Sequence, residues 1–330
     1  MNIDDLFEVK PLTDSITKLP VAPGLVGSLG LFAEKGIRTT TVTVEVQHGR
    51  LKLVPDTNRL AEPTLRAGTN RQLVTFRAAH LPAADVVLPE DIQNVRAFGS
   101  ESVEAGLQSQ ATVINDKLAA LKADIEATRE FHRLGALRGQ VLDADGSTVL
   151  RDIYSEFGVT KNAASIAFSN TSTNVLQAVL NAKRTIEKNT GGLQLRGIKA
   201  LCSAGFFDAL VGNAKVQKAY ENWQAAQDRI GGDLRSGFTY GGVTFIECPD
   251  EVNGIAFIPD GKAQVFPDAQ GIFVTYNAPA NYNEAANTIG QPYYAKAEQR
   301  KMGKGWDLEA QSNPLTLCLY PEALIELTAA

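Results

Sequence analysis

The chain has 330 residues, 44% hydrophobic and 21% charged, enough for two lobes with large cores and too apolar to be disordered throughout. Its 32 basic and 37 acidic residues leave a net charge of −5, which argues against non-specific nucleic-acid binding through phosphate neutralisation. Cys202, Cys248 and Cys318 lie far apart in apolar stretches with no C-x-x-C pair, which excludes zinc ribbons and redox dithiols and predicts buried thiols in a reducing compartment.

Asp4, Asp5 and Glu8 stand where a signal peptide carries basic residues. The longest apolar stretch, residues 19–33, is broken by proline and glycine and falls short of the ~20 residues of a membrane span. A soluble protein with no membrane partner is expected. Residues 1–35 show neither helical nor strand periodicity. Prolines at 11, 20 and 23 and glycines at 24, 27 and 30 predict an extended arm that binds a neighbouring subunit and not its own core. Residues 38–54 alternate, with Val42, Val44 and Val46 on one side, and His48-Gly49 supplies the turn of a β-hairpin. Residues 71–80 read as a further strand. This β-segment has too little apolar mass for a core of its own and is expected to project from the body.

The stretch DVVLPEDIQNVRAFGS, residues 85–100, has a built character. Pro89, Glu90 and Asp91 begin a short helical turn, Gly99 breaks it, and Ser100 caps a long helix. Val103, Leu107, Ala111, Ile114, Leu118, Leu121 and Ile125 form one stripe, predicting a helix from Glu101 to Leu134 about 50 Å long, laid as a spine across a sheet. Glu126 and Glu130 read as solvated-face charges. Residues 140–154, QVLDADGSTVLRDIY, read as a hairpin turning at Asp145-Gly146; the later ligands of a calcium loop are missing.

From about residue 160 the pattern is mixed α/β. Thr171 or Ser172 caps a helix running to Lys188, GIKALC (197–202) is a buried strand, and Ser203 caps a helix to about Leu210. Another helix is expected near 214–227, with strands at 237–248, 254–259 and 262–267. Residues 312–329 read as two strands interrupted by Pro321.

No phosphate loop, zinc-protease or nucleophile-elbow motif is present. His48, His80 and His132 have no evident catalytic partner in the sequence, and Trp223 and Trp306 read as packing residues. No catalytic, cofactor-binding or metal-binding residue is assigned, and no cofactor is expected.

The order of arm, projecting β-segment, long helix, hairpin and α/β lobe resembles the Hong Kong 97-type capsid fold. Three stretches carry a closer likeness: VTFRAAHLPAADVVLPEDIQNVRAFGSES, EFHRLGALRGQVLDADGSTVLRDIYSEFG and YYAKAEQRKMGKGWDLEAQSNPLTLCLYPEALIELT. They are similar to the lambda-like major capsid protein E family of tailed phages. The resemblance implies an α+β fold with an N-terminal arm (1–35) and an extended loop (36–84). A peripheral domain (85–159) would hold spine helix 101–134 and hairpin 140–154, followed by an axial domain (160–290) and a return to the peripheral domain (291–330). It also implies self-assembly, as pentamers and hexamers, into an icosahedral shell around double-stranded DNA, in the virion after assembly in the host cytoplasm. Since the chain opens directly on an arm, scaffolding is expected from a separate protein. A portal is a further partner, a decoration protein is left open, and no cross-linking pair is assigned.

Two other readings stand beside this one: an α/β enzyme with an unrecognised active site, and the shell of a cellular nanocompartment. Within the capsid reading, charge suggests the subunit contact. Residues 34–80 hold eight basic side chains, including Arg50, Lys52, Arg59, Arg66, Arg71 and Arg77, against four acidic ones. Residues 85–104 hold five acidic ones, Asp85, Glu90, Asp91, Glu101 and Glu104, against Arg96 alone. The extended loop over the next subunit's peripheral domain would bring these sets together.

Overall fold

The computed structural model describes residues 9–18, 24–47, 71–93, 110–170, 172–221, 237–249, 251–252 and 254–330. The chain divides into two compact units, one of residues 1–42, 76–133 and 274–316, the other of residues 43–75, 134–273 and 317–330.

The first unit is built on a three-stranded antiparallel sheet in which Trp306–Ser312 lies between Tyr294–Gln299 and Leu81–Val87. Side chains alternate across a strand, so Val87, Ala295, Ala297, Trp306, Leu308 and Ala310 share one buried face. The long helix, Gln110–Arg138, supplies the cover: Val113, Ile114, Leu118, Leu121 and Ile125 join the same cluster. Its 29 described residues span about 44 Å. The predicted stripe thus holds at Ile114, Leu118, Leu121 and Ile125, whereas Ala111 is exposed and Val113 takes its place. The helix also runs past Leu134 and Gly135 to Arg138. Its expected start at Ser100–Glu101, with Val103 and Leu107, lies outside the described residues.

The expectation of an unpatterned arm is corrected here. Val9–Lys18 is a helix, and its Leu12 and Ile16, one turn apart, are buried in the first unit's own core. Pro11 falls in the first turn, where a missing N–H leaves no intrahelical bond unmade, so it does not break the helix. A short helix, Leu25–Ser28, and a strand, Phe32–Gly36, follow. That strand joins a second three-stranded sheet with Phe273–Asn277 and Pro314–Cys318. The projecting β-segment also differs from expectation: Thr41–Gln47 pairs with Arg71–Arg77, while the turn at His48-Gly49 and the partner at 51–54 lie outside the described residues.

The second unit holds a six-stranded sheet in the order Asn162–Ile166, Ile325–Ala329, Lys262–Asp268, Gly197–Cys202, Val243–Glu247, Phe238–Tyr240. Gly197–Cys202 runs parallel to Val243–Glu247, and Ile325–Ala329 parallel to Asn162–Ile166. The final strand, grouped by sequence with 291–330, therefore pairs inside this sheet. Helices Val175–Asn189 and Ala204–Gly212 bury Val175, Val179, Ile186, Phe206 and Leu210 against it. Ser203 caps the second helix as expected, accepting the Phe206 N–H at 3.2 Å. The first is capped by Asn174, which accepts the Gln177 N–H, and not by Ser172; Thr171 lies outside the described residues.

The hairpin turning at Asp145-Gly146 is present as Gln140–Leu142 and Val149–Asp152, and the chain turns helical at Ile153. Asp145 accepts hydrogen bonds from the hydroxyls and amides of Thr148 and Ser147, which hold its carboxyl well below the usual range. All three cysteines are buried. No described helix is long and apolar enough to cross a membrane.

Candidate assembly site

One lysine of the long helix ties down the end of strand Leu81–Val87 and the turn that follows it. Pro89–Asp91 forms a single 3₁₀ turn, and the Asp91 carboxylate accepts the Leu88 N–H at 2.9 Å. Lys117, from the helix, donates to Asp91 at 3.1 Å and to the Val86 carbonyl, and lies 3.6 Å from Asp85. The Leu88 amide, and after it Lys117, lower the Asp91 pKa. Residues 85–91 of this stretch therefore anchor strand Leu81–Val87 to the helix, while residues 94–100 lie outside the described residues.

Of the charges expected to form a subunit contact, Asp85 and Asp91 are thus engaged within the chain, Glu90 is exposed, and Arg77 is exposed but also engaged within the chain. Arg71 opens strand Arg71–Arg77. Arg50, Lys52, Arg59, Arg66, Glu101 and Glu104 lie outside the described residues. Among the described residues the basic set is represented by Arg71 and Arg77, on a strand that pairs with Thr41–Gln47 and not with strand Leu81–Val87.

The reading of Glu126 and Glu130 as solvated charges is wrong. Lys122, Glu126, Arg129, Glu130 and Arg133 are all buried. Arg133 reaches Glu126 at 2.6 Å, Glu130 at 3.2 Å and Glu34 at 3.2 Å. Arg129 donates to Glu34 at 2.8 Å, to Ser312 Oγ at 2.9 Å, to Asn277 Oδ1 at 3.1 Å and to the Pro292 carbonyl. Tyr293 donates its hydroxyl to Glu126. Burial alone would raise the pKa of Glu126, but Arg133, the Tyr293 hydroxyl and Arg129 together bring it below its ordinary value.

This cluster binds the N-terminal segment to the helix. Glu130 accepts the N–H groups of Val26 at 2.5 Å and Gly27 at 3.0 Å, and Glu34 sits between the two arginines. A Cβ on Gly24 would lie 2.4 Å from the Glu130 carboxylate, so only glycine allows the approach. Lys122 donates to the carbonyls of Ile16 and Thr17, among the orphan acceptors at the end of helix Val9–Lys18. The sequence did carry a signal for this: continued past Ile125 by four and four, the apolar stripe falls on Arg129 and Arg133.

What these parts do chemically is hold elements in place. Among the described residues no group of three or more His, Cys, Asp or Glu is placed to hold a metal ion. The family model for phage major capsid protein E matches residues 8–329. The chain belongs to the phage major capsid protein E family. It is 28% identical to the major capsid protein of Pseudomonas phage KPP10, with 100% of this chain and 99% of the relative covered. Against that of Salmonella phage Felix O1 it is 26% identical, covering 98% and 96%.

Solved structures agree on the fold alone. The putative capsid protein of an E. coli CFT073 prophage superposes with a TM-score of 0.57 at 11% identity, covering 98% of this chain and 99% of that one. The capsid of Myoviridae phage XM1 gives 0.51 at 14%, covering 100% and 99%. The chain is a major capsid protein of the tailed-phage kind, a structural component of the virion and not an enzyme. The enzyme and nanocompartment readings fall away.

Proposed function

We propose that this capsid protein assembles with copies of itself, as pentamers and hexamers, into an icosahedral shell that encloses double-stranded DNA without reading its sequence. The observation that carries this reading is the family match over residues 8–329. Assembly takes place in the host cytoplasm with a separate scaffolding protein and a portal, with or without a decoration protein. The net charge of −5 suits a container, since mild repulsion leaves the genome free to enter and leave.

In this reading residues 1–35 are the N-terminal arm and 36–84 the extended loop. Residues 85–159 and 291–330 serve the peripheral domain, and 160–290 the axial domain, with the final strand Ile325–Ala329 lent to the axial sheet. Arg50, Lys52, Arg59, Arg66, Arg71 and Arg77 of one subunit face Asp85, Glu90, Asp91, Glu101 and Glu104 of the next. Exposed pairs contribute only ~0–1 kcal/mol each, but they repeat around every capsomer and orient docking. Arg59→Glu with Arg66→Glu and Arg71→Glu tests this. The thermal melt of the unassembled protein should stay nearly unchanged while shell formation is blocked or slowed, most clearly at low salt. Normal particles at low ionic strength would refute the electrostatic contact and leave the capsid assignment standing.

A further inference from the structure

The turn at 300–305, between strands Tyr294–Gln299 and Trp306–Ser312, is unlike the rest of this acidic chain. Arg300, Lys301 and Lys304 put three cations into five residues. Arg300 pairs with Asp307 at 2.7 Å, whereas Lys301 and Lys304 are exposed and enter no ion pair among the described residues. Between them Met302 is 90% exposed, more than any other described large hydrophobic side chain.

The turn is rigidly built. The Arg300 N–H donates to the Gly305 carbonyl at 2.9 Å and the Gly303 N–H to the Arg300 carbonyl at 3.1 Å. Gly305, at φ 119, lies so close to the strand beside it that a Cβ would sit 2.2 Å from the Val87 carbonyl oxygen. Met302 itself has φ 64, a left-handed conformation that disfavours any residue with a Cβ. A strained residue held out in water is a common sign of a functional position. The result is a fixed projection of cation, thioether and cation.

The same sheet carries the complement. A groove of about 330 Å³ is lined by Ala84 and Val86, by Glu298, Asp307 and Glu309, and by Lys296. Glu298 and Asp307 are direct cross-strand partners, an arrangement of like charges that is unfavourable in isolation. Arg300 pairs with Asp307, and Lys296 lies opposite Glu309 and is also engaged by Glu284 at 3.1 Å, whereas Glu298 enters no ion pair among the described residues, so the groove keeps a surplus of negative charge beside Ala84 and Val86.

The geometry points to a contact between two copies of this chain in which Met302, flanked by Lys301 and Lys304, seats in the acidic groove of the next copy. The inference rests on the capsid reading and adds a contact separate from the loop charges proposed above. A second copy fits better than nucleic acid, because phosphates offer cations a partner but give the methionine no apolar one. Projection and groove are different parts of one surface, so the contact is heterologous and can be repeated around a closed assembly.

Co-assembly of a Met302→Cys chain with a size-tagged Ala84→Cys chain tests it, since the native cysteines are buried and stay silent. A short bismaleimide added to particles verified by electron microscopy should give a heterodimer band that neither variant gives alone. Particles that yield no heterodimer, or that yield Met302→Cys homodimers instead, would overturn the contact without touching the capsid assignment. Absence of particles even from the unmodified chain would instead count against that assignment. As a second measurement, Lys301→Glu with Lys304→Glu should lower particle yield at least tenfold, and adding Glu298→Lys and Glu309→Lys to the same chain should restore it. A reversal that leaves assembly intact but reduces retained DNA would show that the turn serves the genome, and the proposal would be wrong.

Discussion

Arg133 meets Glu126 at 2.6 Å across seven residues of the same helix, with about nine-tenths of each side chain buried. Two helical turns separate them, so the side chains reach toward each other along the helix surface, where Tyr293 also binds Glu126 and Glu34 also binds Arg133. The pair is the centre of the cluster that carries the N-terminal segment. Removing Arg133 leaves Glu126 and Glu130 buried without their shared guanidinium, Glu126 keeping the Tyr293 hydroxyl and Arg129 at 3.4 Å. Arg133→Met should therefore cost about 3–5 kcal/mol in chemical denaturation. Arg133→Met combined with Glu126→Gln should recover a large part of that loss. Additive losses in the double variant would show that the two side chains act independently.

The same pair sets a pH response. Glu126 has a folded-state pKa below its ordinary value, so its contribution to stability is complete above the unfolded carboxylate range and is lost as pH falls through the lower folded value. Stability measured by urea titration should therefore fall below about pH 4, the unfolded glutamate range. Glu126→Gln should flatten that part of the curve. A wild-type curve and a Glu126→Gln curve of equal slope there would contradict the assignment.

Leu118 lies in the middle of the helix stripe and is wholly buried against the sheet. Leu118→Ala should cost about 2–5 kcal/mol through the cavity it leaves, and Leu118→Asp should prevent folding. Leu12 and Ile16 belong to the same cluster, so Leu12→Ala and Ile16→Ala should each destabilise the unassembled protein by a similar amount. Unchanged melting of the Leu12 and Ile16 variants would return these residues to the role of a free arm.

Gly305 combines a φ of 119 with a blocked Cβ position. Gly305→Ala should destabilise by about 1–3 kcal/mol, through backbone strain and displacement of the Val87 carbonyl. Gly261 has a positive φ but nothing within 4 Å of its Cβ position, so Gly261→Ala carries the strain without the clash and should cost less. Equal costs would mean that the close approach at Val87 relaxes freely.

Much of this fold was legible because it is local. The stripe from Ile114 to Ile125, the Asp145-Gly146 turn, the Ser203 cap and the break at Pro321 each follow from a spacing or a residue type that acts within a few positions. What escaped depends on distant partners. Strand Trp306–Ser312 is the centre of its sheet, yet its sequence, WDLEAQS, alternates charge with apolar side chains and does not announce which strands flank it. Leu12 and Ile16 are only two apolar anchors in a helix containing proline, too little for a periodic signal. The buried charges of the helix are not legible locally, because Glu126 and Arg133 find partners in Tyr293 and Glu34, remote in sequence. The candidate contact charges at 48–70 and 94–109 fall outside the described residues, so their placement rests on composition alone.

The central claim is that this chain builds a shell. Expression of the unmodified protein, followed by analytical ultracentrifugation and negative-stain electron microscopy of the same fractions, tests it most directly. The account predicts capsomers and closed, isometric particles of megadalton mass. A monodisperse monomer at every protein and salt concentration, with or without the phage's scaffolding protein, would contradict it.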